Sequence, residues 1–214
     1  MSIPRDSNIV TLAVIGTAGR DPNKQLTKDH FKYMCDTFDE FIESHHLLEG
    51  DKQLVVVSGG SAWADHVVVD RFLNDPNRFK LILYLPCPIV DTEIDDDDDD
   101  VCYKRRYQYL DTGSIDWYKN PGRISNMYHD QFESIMCVDP IGQIIQAKEK
   151  GAILDTSSNG FHNRNTKISK SDLIVAFTFG EDQPEIGTGT HETWKQSLSK
   201  KKYHYSLSKI TTRS

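Results

Sequence analysis

The stretch TLAVIGTAGR at residues 11–20 decides the fold, together with LVVVSGGSAWAD at residues 54–65. Each is a short apolar run, rich in β-branched residues, that breaks into glycine and other small residues. A helical pattern follows each one. After the first, Phe31, Met34, Cys35, Phe38, Phe41 and Ile42 recur at helical spacing, with Thr27 as N-cap and Gly50 as terminator. After the second, residues 62–73 read as a helix with Ser61 as its cap. Near-continuous apolar strands belong to sheets covered on both faces. Strands that alternate with helices make such a sheet parallel. The expected fold class is α/β: a Rossmann-like, three-layer α/β/α arrangement with a mostly parallel sheet.

The rest of the chain extends this pattern. Further strands are expected at residues 80–85, 152–154 and 173–177, with an edge strand at 203–207. Helices are expected at 124–136, 141–150 and from Thr190 to about Lys200. Residues 1–214 read as a single Rossmann-like domain with an acidic and aromatic insertion at about 90–123. Six consecutive aspartates, Asp95 to Asp100, repel one another and read as a solvated loop. They lack the alternating ligands and turn glycine of a calcium loop. The Tyr103, Lys104, Arg105, Arg106, Tyr107 and Tyr109 segment interleaves charge with rings. Such a segment either stacks on and neutralises a nucleotide or forms a covering loop.

Composition limits the partners. The formal net charge is -7 over 214 residues. A nucleic-acid partner is disfavoured, whereas a small anionic ligand needs only local positive charge. The four cysteines, Cys35, Cys87, Cys102 and Cys137, show no CxxC spacing and no Cys/His cluster. Reduced thiols, no metal, no cofactor and a cytoplasmic location are expected. MSIPRDSN at the start lacks the blocks of a signal peptide, and no apolar run approaches the ~20 residues of a membrane span. The helix at 26–48 has enough apolar positions for core or homodimer contact.

Parallel sheets bind ligands at the carboxyl ends of their strands, where backbone amides and helix N-termini favour anions. Three small-residue turns sit at such ends. The first is Gly16, Thr17, Ala18, Gly19, followed by Arg20 with a guanidinium fork for phosphate. The second is Ser58, Gly59, Gly60, Ser61, read as an anion nest of exposed amides. Asp65 behind it either bonds a ligand hydroxyl or complements the helix dipole. The third is Gly187, Thr188, Gly189, Thr190, with Thr190 as the expected helix cap. Glu192 and His191 follow, and Glu192 is either a general base or nucleophile or a dipole partner. Arg164 and Asn165, ahead of the 173–177 strand, complete the candidate ligand set.

Three segments together, VIGTAGR, VVVSGGSAWAD and RNTKISKSDLIVAF…GTGTHETW, resemble the SLOG superfamily. These are Rossmann-like domains that include the cytokinin-activating phosphoribohydrolases and the DprA-type DNA-uptake proteins. The resemblance is nearest to its small stand-alone YspA-like members. It covers residues 9–72 and 163–200. It implies a nucleotide or nucleotide-derived ligand: a nucleoside monophosphate, an ADP-ribose-like molecule or a cyclic signal. The alternative it implies is a nucleoside 5′-monophosphate N-glycosidase that releases free base, with Glu192 or Asp65 catalytic. The hydrolase motif PGGxGTxxE matches Gly187, Gly189 and Thr190, and its preceding Arg matches Arg164. Its Pro falls on Glu185, its first Gly on Ile186 and its final Glu on Thr193, with Glu192 one residue early. One residue along a helix turns a side chain by roughly 100°. That displacement argues for binding over hydrolysis.

Overall fold

The computed structural model describes residues 8–92, 107–199 and 201–210. The six-aspartate run, Cys102 and residues 103–106 lie outside the described residues, as does the N-terminal MSIPRDS. The chain runs β1 (Ile9–Gly16), α1 (Lys28–Ser44), β2 (Gln53–Ser58), α2 (Val67–Asn74), β3 (Lys80–Tyr84), β4 (Ile89–Asp91), β5 (Tyr107–Tyr109), α3 (Pro121–Met136), α4 (Pro140–Glu149), β6 (Ile153–Asp155), α5 (Gly160–Ile168), β7 (Leu173–Thr178), α6 (Gly189–Gln196) and β8 (Lys201–Ser206).

Six strands form one sheet in the order β6-β3-β2-β1-β7-β8, and every pairing in it is parallel. Alternate residues of each strand face opposite sides. Leu12, Val14, Val56, Leu83, Val175 and Phe177 face a large core with Phe31, Met34 and Phe38 of α1, Val68 and Phe72 of α2, Phe132 of α3 and Ile144 of α4. Ala13, Ile15, Val55, Val57, Ile174 and Ala176 face a smaller core closed by Ile168 of α5 and Trp194 of α6. Helices therefore cover both faces, and the fold is the three-layer, Rossmann-like α/β/α class.

Two features of this fold position the site. Strand order reverses between β1 and β7: successive strands build outward from β1 through β2, β3 and β6, then restart on its other side. A crevice opens at such a switch point, outside the carboxyl ends. The β1–β7 pair is also clamped at its amino end. Thr11 donates its amide and hydroxyl to Asp172 Oδ2 at 2.9 and 2.7 Å, and the Asp172 amide donates to Thr11 Oγ1 at 2.8 Å.

Local departures from the sequence expectation have identifiable causes. The helix expected at 62–73 begins as a 3-10 turn, Trp63–His66, before α2. Trp63 carries φ 61°, a conformation that costs a bulky L-residue on the order of 1–3 kcal/mol. Its burial offsets that cost, with edge contacts to Phe132 and Phe31 at centroid distances of 4.9 and 6.5 Å. α3 starts at Pro121, in the first helical position that tolerates proline, behind Asn120, whose side chain accepts from the Arg123 amide. Inside the expected insertion, β4 and β5 pair antiparallel as a separate two-stranded ribbon. No helix among the described residues is long and apolar enough to cross a membrane.

His66 sits in the aromatic cluster at 1% exposure, with its Nε2 2.8 Å from Gln143 Oε1. Burial pulls its pKa down to about 4, against the Gln143 bond and the Asp139 charge. Below pH ~6.5 the unfolded chain takes a proton that the folded chain refuses, so stability falls as pH drops toward 4. The expected loss across that window is on the order of 3 kcal/mol. Urea unfolding of wild type and His66→Gln at pH 7 and pH 4.5 checks it: the wild type loses more of its midpoint than the variant. Equal losses contradict the assignment.

Candidate functional site

All three small-residue turns lie at the carboxyl edge, because all six strands of the sheet point the same way. Side chains tie the turns to one another. At the end of β1, Gly16 has no room for a Cβ, which would lie 2.2 Å from Phe177 O and 2.4 Å from Ala64 Cβ. Its carbonyl accepts from Thr190 Oγ1 at 2.7 Å, so α6 is fastened to the first turn. Thr17 donates its amide to Phe177 O at 2.9 Å, and its hydroxyl accepts from the Gly19 amide at 3.2 Å.

The second turn is organised from inside. Gly59 and Gly60 are buried, not open to solvent as their sequence implies. Asp65, 5% exposed, accepts from the Ser61 amide at 3.2 Å. The carboxylate thus fills the nest that an external anion was expected to enter. Burial pushes the Asp65 carboxyl up, while Arg164 and the Ser61 and Gly59 amides pull it back. Arg164 approaches Gly59 from the other side, and its Nη1 donates to Gly59 O at 2.9 Å. A Cβ on Gly59 would lie 2.7 Å from both Arg164 Cζ and Asp65 Oδ2, so the glycine is what lets the two flank one backbone position. Burial lowers the Arg164 pKa and Asp65 raises it, and a guanidinium so placed stays charged. The guanidinium also lies 5.1 Å from the Phe161 ring centroid.

Asn165 joins the second turn to the third. Its Oδ1 accepts from Arg164 Nε at 3.2 Å, and its Nδ2 donates to Gly189 O at 3.5 Å. Gly187 turns at φ 85° ahead of α6. The helix cap is Thr188, two residues earlier than expected: its side chain accepts from the His191 amide. Gly189 and Thr190 therefore occupy the first two helical positions, whose amides have no intrahelical acceptor. Thr190 contributes its amide to that N-terminus, since its hydroxyl is committed to Gly16.

The candidate acids separate. Asp65 is internal to the second turn. The Glu192 side chain is 55% exposed on the first turn of α6, 3.8 Å from His191 Nδ1. Thr193, where the resembled motif carries its glutamate, is buried and donates to Gly189 O at 2.9 Å. Arg20 is exposed and leans away onto α3, with its Nε donating to Tyr128 OH at 3.1 Å. Gly16, Thr17, Gly59, Arg164, Asn165, Gly189 and Thr190 are thus brought together; Arg20 and Glu192 stand at the rim.

Two residues join the second turn in roles the sequence did not show: Tyr109, read there only as part of a nucleotide-stacking or covering segment and here buried, and His129. Tyr109 donates its O–H to Gly60 O at 2.6 Å, and His129 Nε2 donates to the same oxygen at 3.1 Å. Their positions follow from the β4–β5 ribbon and α3, which no local pattern connects to the glycine turn. A groove of about 510 Å³, lined by Ile115, Trp117, Arg123 and Met127 among others, opens elsewhere on the same insertion. Among the described residues no group of three His, Cys, Asp or Glu side chains is placed to hold a metal ion.

Fold and site together define a Rossmann-like α/β protein with three glycine-bearing turns joined at the carboxyl edge of its sheet. No family model matches the chain. It is 34% identical over 209 residues to the uncharacterized protein R261 of Acanthamoeba polyphaga mimivirus, an alignment covering 93% of this chain and 97% of that one. The chain belongs to the family of that mimivirus protein.

The Asp65–Arg164 arrangement makes a stability prediction. Asp65→Asn leaves the guanidinium without its anion and replaces one accepting oxygen with a donor group among backbone N–H donors. The expected cost is about 1–3 kcal/mol by chemical denaturation at pH 7. An unchanged midpoint shows that the carboxylate does not hold the turn.

Proposed function

We propose that the protein binds a nucleotide or nucleotide-derived ligand, with its phosphate at the carboxyl ends of β1 and β7. The observation that carries this reading is the convergence at the strand-order reversal of the α6 N-terminus and the Arg164 guanidinium, linked through Asn165. Helix amides and a fixed guanidinium are the two groups that recognise phosphate without regard to what it is attached to. Nucleoside monophosphates, ADP-ribose-like molecules and cyclic nucleotides share that chemistry. The SLOG resemblance supports the same ligand class.

Binding is favoured over N-glycosidic hydrolysis by where the carboxylates stand. Hydrolysis needs an acid or base within hydrogen-bond reach of the scissile bond or its water. Asp65 is engaged by the second turn, and Thr193 stands buried at the motif's glutamate position. Glu192, exposed at the rim, is the residue on which a hydrolytic reading depends.

The test is incubation with nucleoside 5′-monophosphates, NAD and ADP-ribose, followed by thermal shift and chromatography. A stabilised protein with ligand recovered intact is expected. Arg164→Ala is expected to weaken that binding ~10-fold or more, about 1.4 kcal/mol. Release of free base, abolished in Glu192→Gln, would replace the binding reading with the glycosidase. No shift and no free base with any ligand removes both.

A further inference from the structure

We propose that Tyr109 and His129 are positioning residues for the second glycine turn, acting through the Gly60 carbonyl. The proposal deepens the ligand-binding reading and rests on it for its functional consequence. A carbonyl oxygen has two lone pairs. Those of Gly60 meet two donors from outside the turn: the Tyr109 hydroxyl on β5 and the His129 ring on α3. Because a carbonyl only accepts, His129 holds its proton on Nε2.

Both donors are built in rather than incidental. Tyr109 and His129 are each 0% exposed, and their rings stack at 5.5 Å. Tyr109 is fixed on three sides: its amide donates to Asn126 Oδ1 at 2.8 Å, its carbonyl accepts from Asn126 Nδ2 at 2.9 Å, and its hydroxyl reaches Gly60. A buried phenol is retained at low cost only when its hydroxyl has such an acceptor. The receiving residue is equally constrained. Gly60 carries φ 65°, and a Cβ there would lie 2.3 Å from Leu85 Cδ2.

The consequence follows from peptide planarity. The Gly60 carbonyl and the Ser61 amide belong to one rigid plane and point in opposite directions. Holding the oxygen against Tyr109 and His129 aims the Ser61 N–H at Asp65, which it meets at 3.2 Å. Asp65 is the anion beside Arg164, and Arg164 is the cation of the crevice. The β4–β5 ribbon and α3 thereby set the direction of the Asp65–Arg164 pair through the backbone of the second turn.

Tyr109→Phe keeps the ring and removes the donor. His129→Leu removes the second donor, whereas His129→Gln keeps a side-chain amide donor. Amide hydrogen exchange of the ligand-free protein is the primary readout. In Tyr109→Phe/His129→Leu the Ser61 amide is expected to exchange ~10-fold faster or more, with the β1 and β7 amides accelerated less. Restoring His129 or placing Gln there recovers part of the protection. Titration of the same variants with adenosine 5′-monophosphate, at a temperature where each is folded, is expected to show several-fold weaker binding. Wild-type exchange at Ser61 in the double variant overturns the proposal. Equal acceleration throughout the sheet overturns it too, by reducing the two residues to general stability. A wild-type protein that binds no nucleotide overturns the functional reading alone, and the exchange data still decide the positioning role.

Discussion

The pairing of β1 with β7 is the constraint on which the site depends. Strands laid down in two directions from β1 leave a gap between their crossovers at its carboxyl end, and nothing in the sheet itself fills it. Two clamps keep the pair from sliding. Thr11 and Asp172 exchange bonds at the amino end, and Thr190 bonds the Gly16 carbonyl at the other. A shift of one residue in this register would turn every apolar side chain of β7 to the wrong core. The same pairing brings the Phe177 carbonyl against Gly16, which excludes any side chain there.

From that junction the site grows by side-chain-to-backbone bonds. Arg164 reaches the second turn, Asn165 reaches the third, and Thr190 returns to the first. Each of these bonds uses a backbone carbonyl as acceptor. The first amides of α6 have no intrahelical acceptor. Those amides and the Arg164 guanidinium give the site local positive charge in a chain whose net charge is -7.

The sequence made the central strands legible because strands buried on both faces must be apolar throughout, as residues 12–15, 54–57 and 173–177 are. The glycine turns were legible for a related reason: residues 16, 59 and 60 sit where backbone or side chains leave no space for a Cβ. The state of those turns was not. That Asp65 fills its own nest depends on the 3-10 start of the following helix, which no periodicity distinguishes from an ordinary α-turn. Thr188 rather than Thr190 caps α6, a choice between two equivalent side chains that only the Gly16 contact decides. The β4–β5 ribbon, with three residues on each strand, is too short to leave a pattern, so the approach of Tyr109 to Gly60 had no local sign.

The central claim is the location of the ligand phosphate. A crystal structure of the protein with adenosine 5′-monophosphate tests it most directly. The phosphate is expected at the carboxyl ends of β1 and β7, within hydrogen-bond distance of the Gly189 or Thr190 amide and facing Arg164. A nucleotide seated in the groove beside Trp117, with the crevice at the strand-order reversal unengaged, would contradict it.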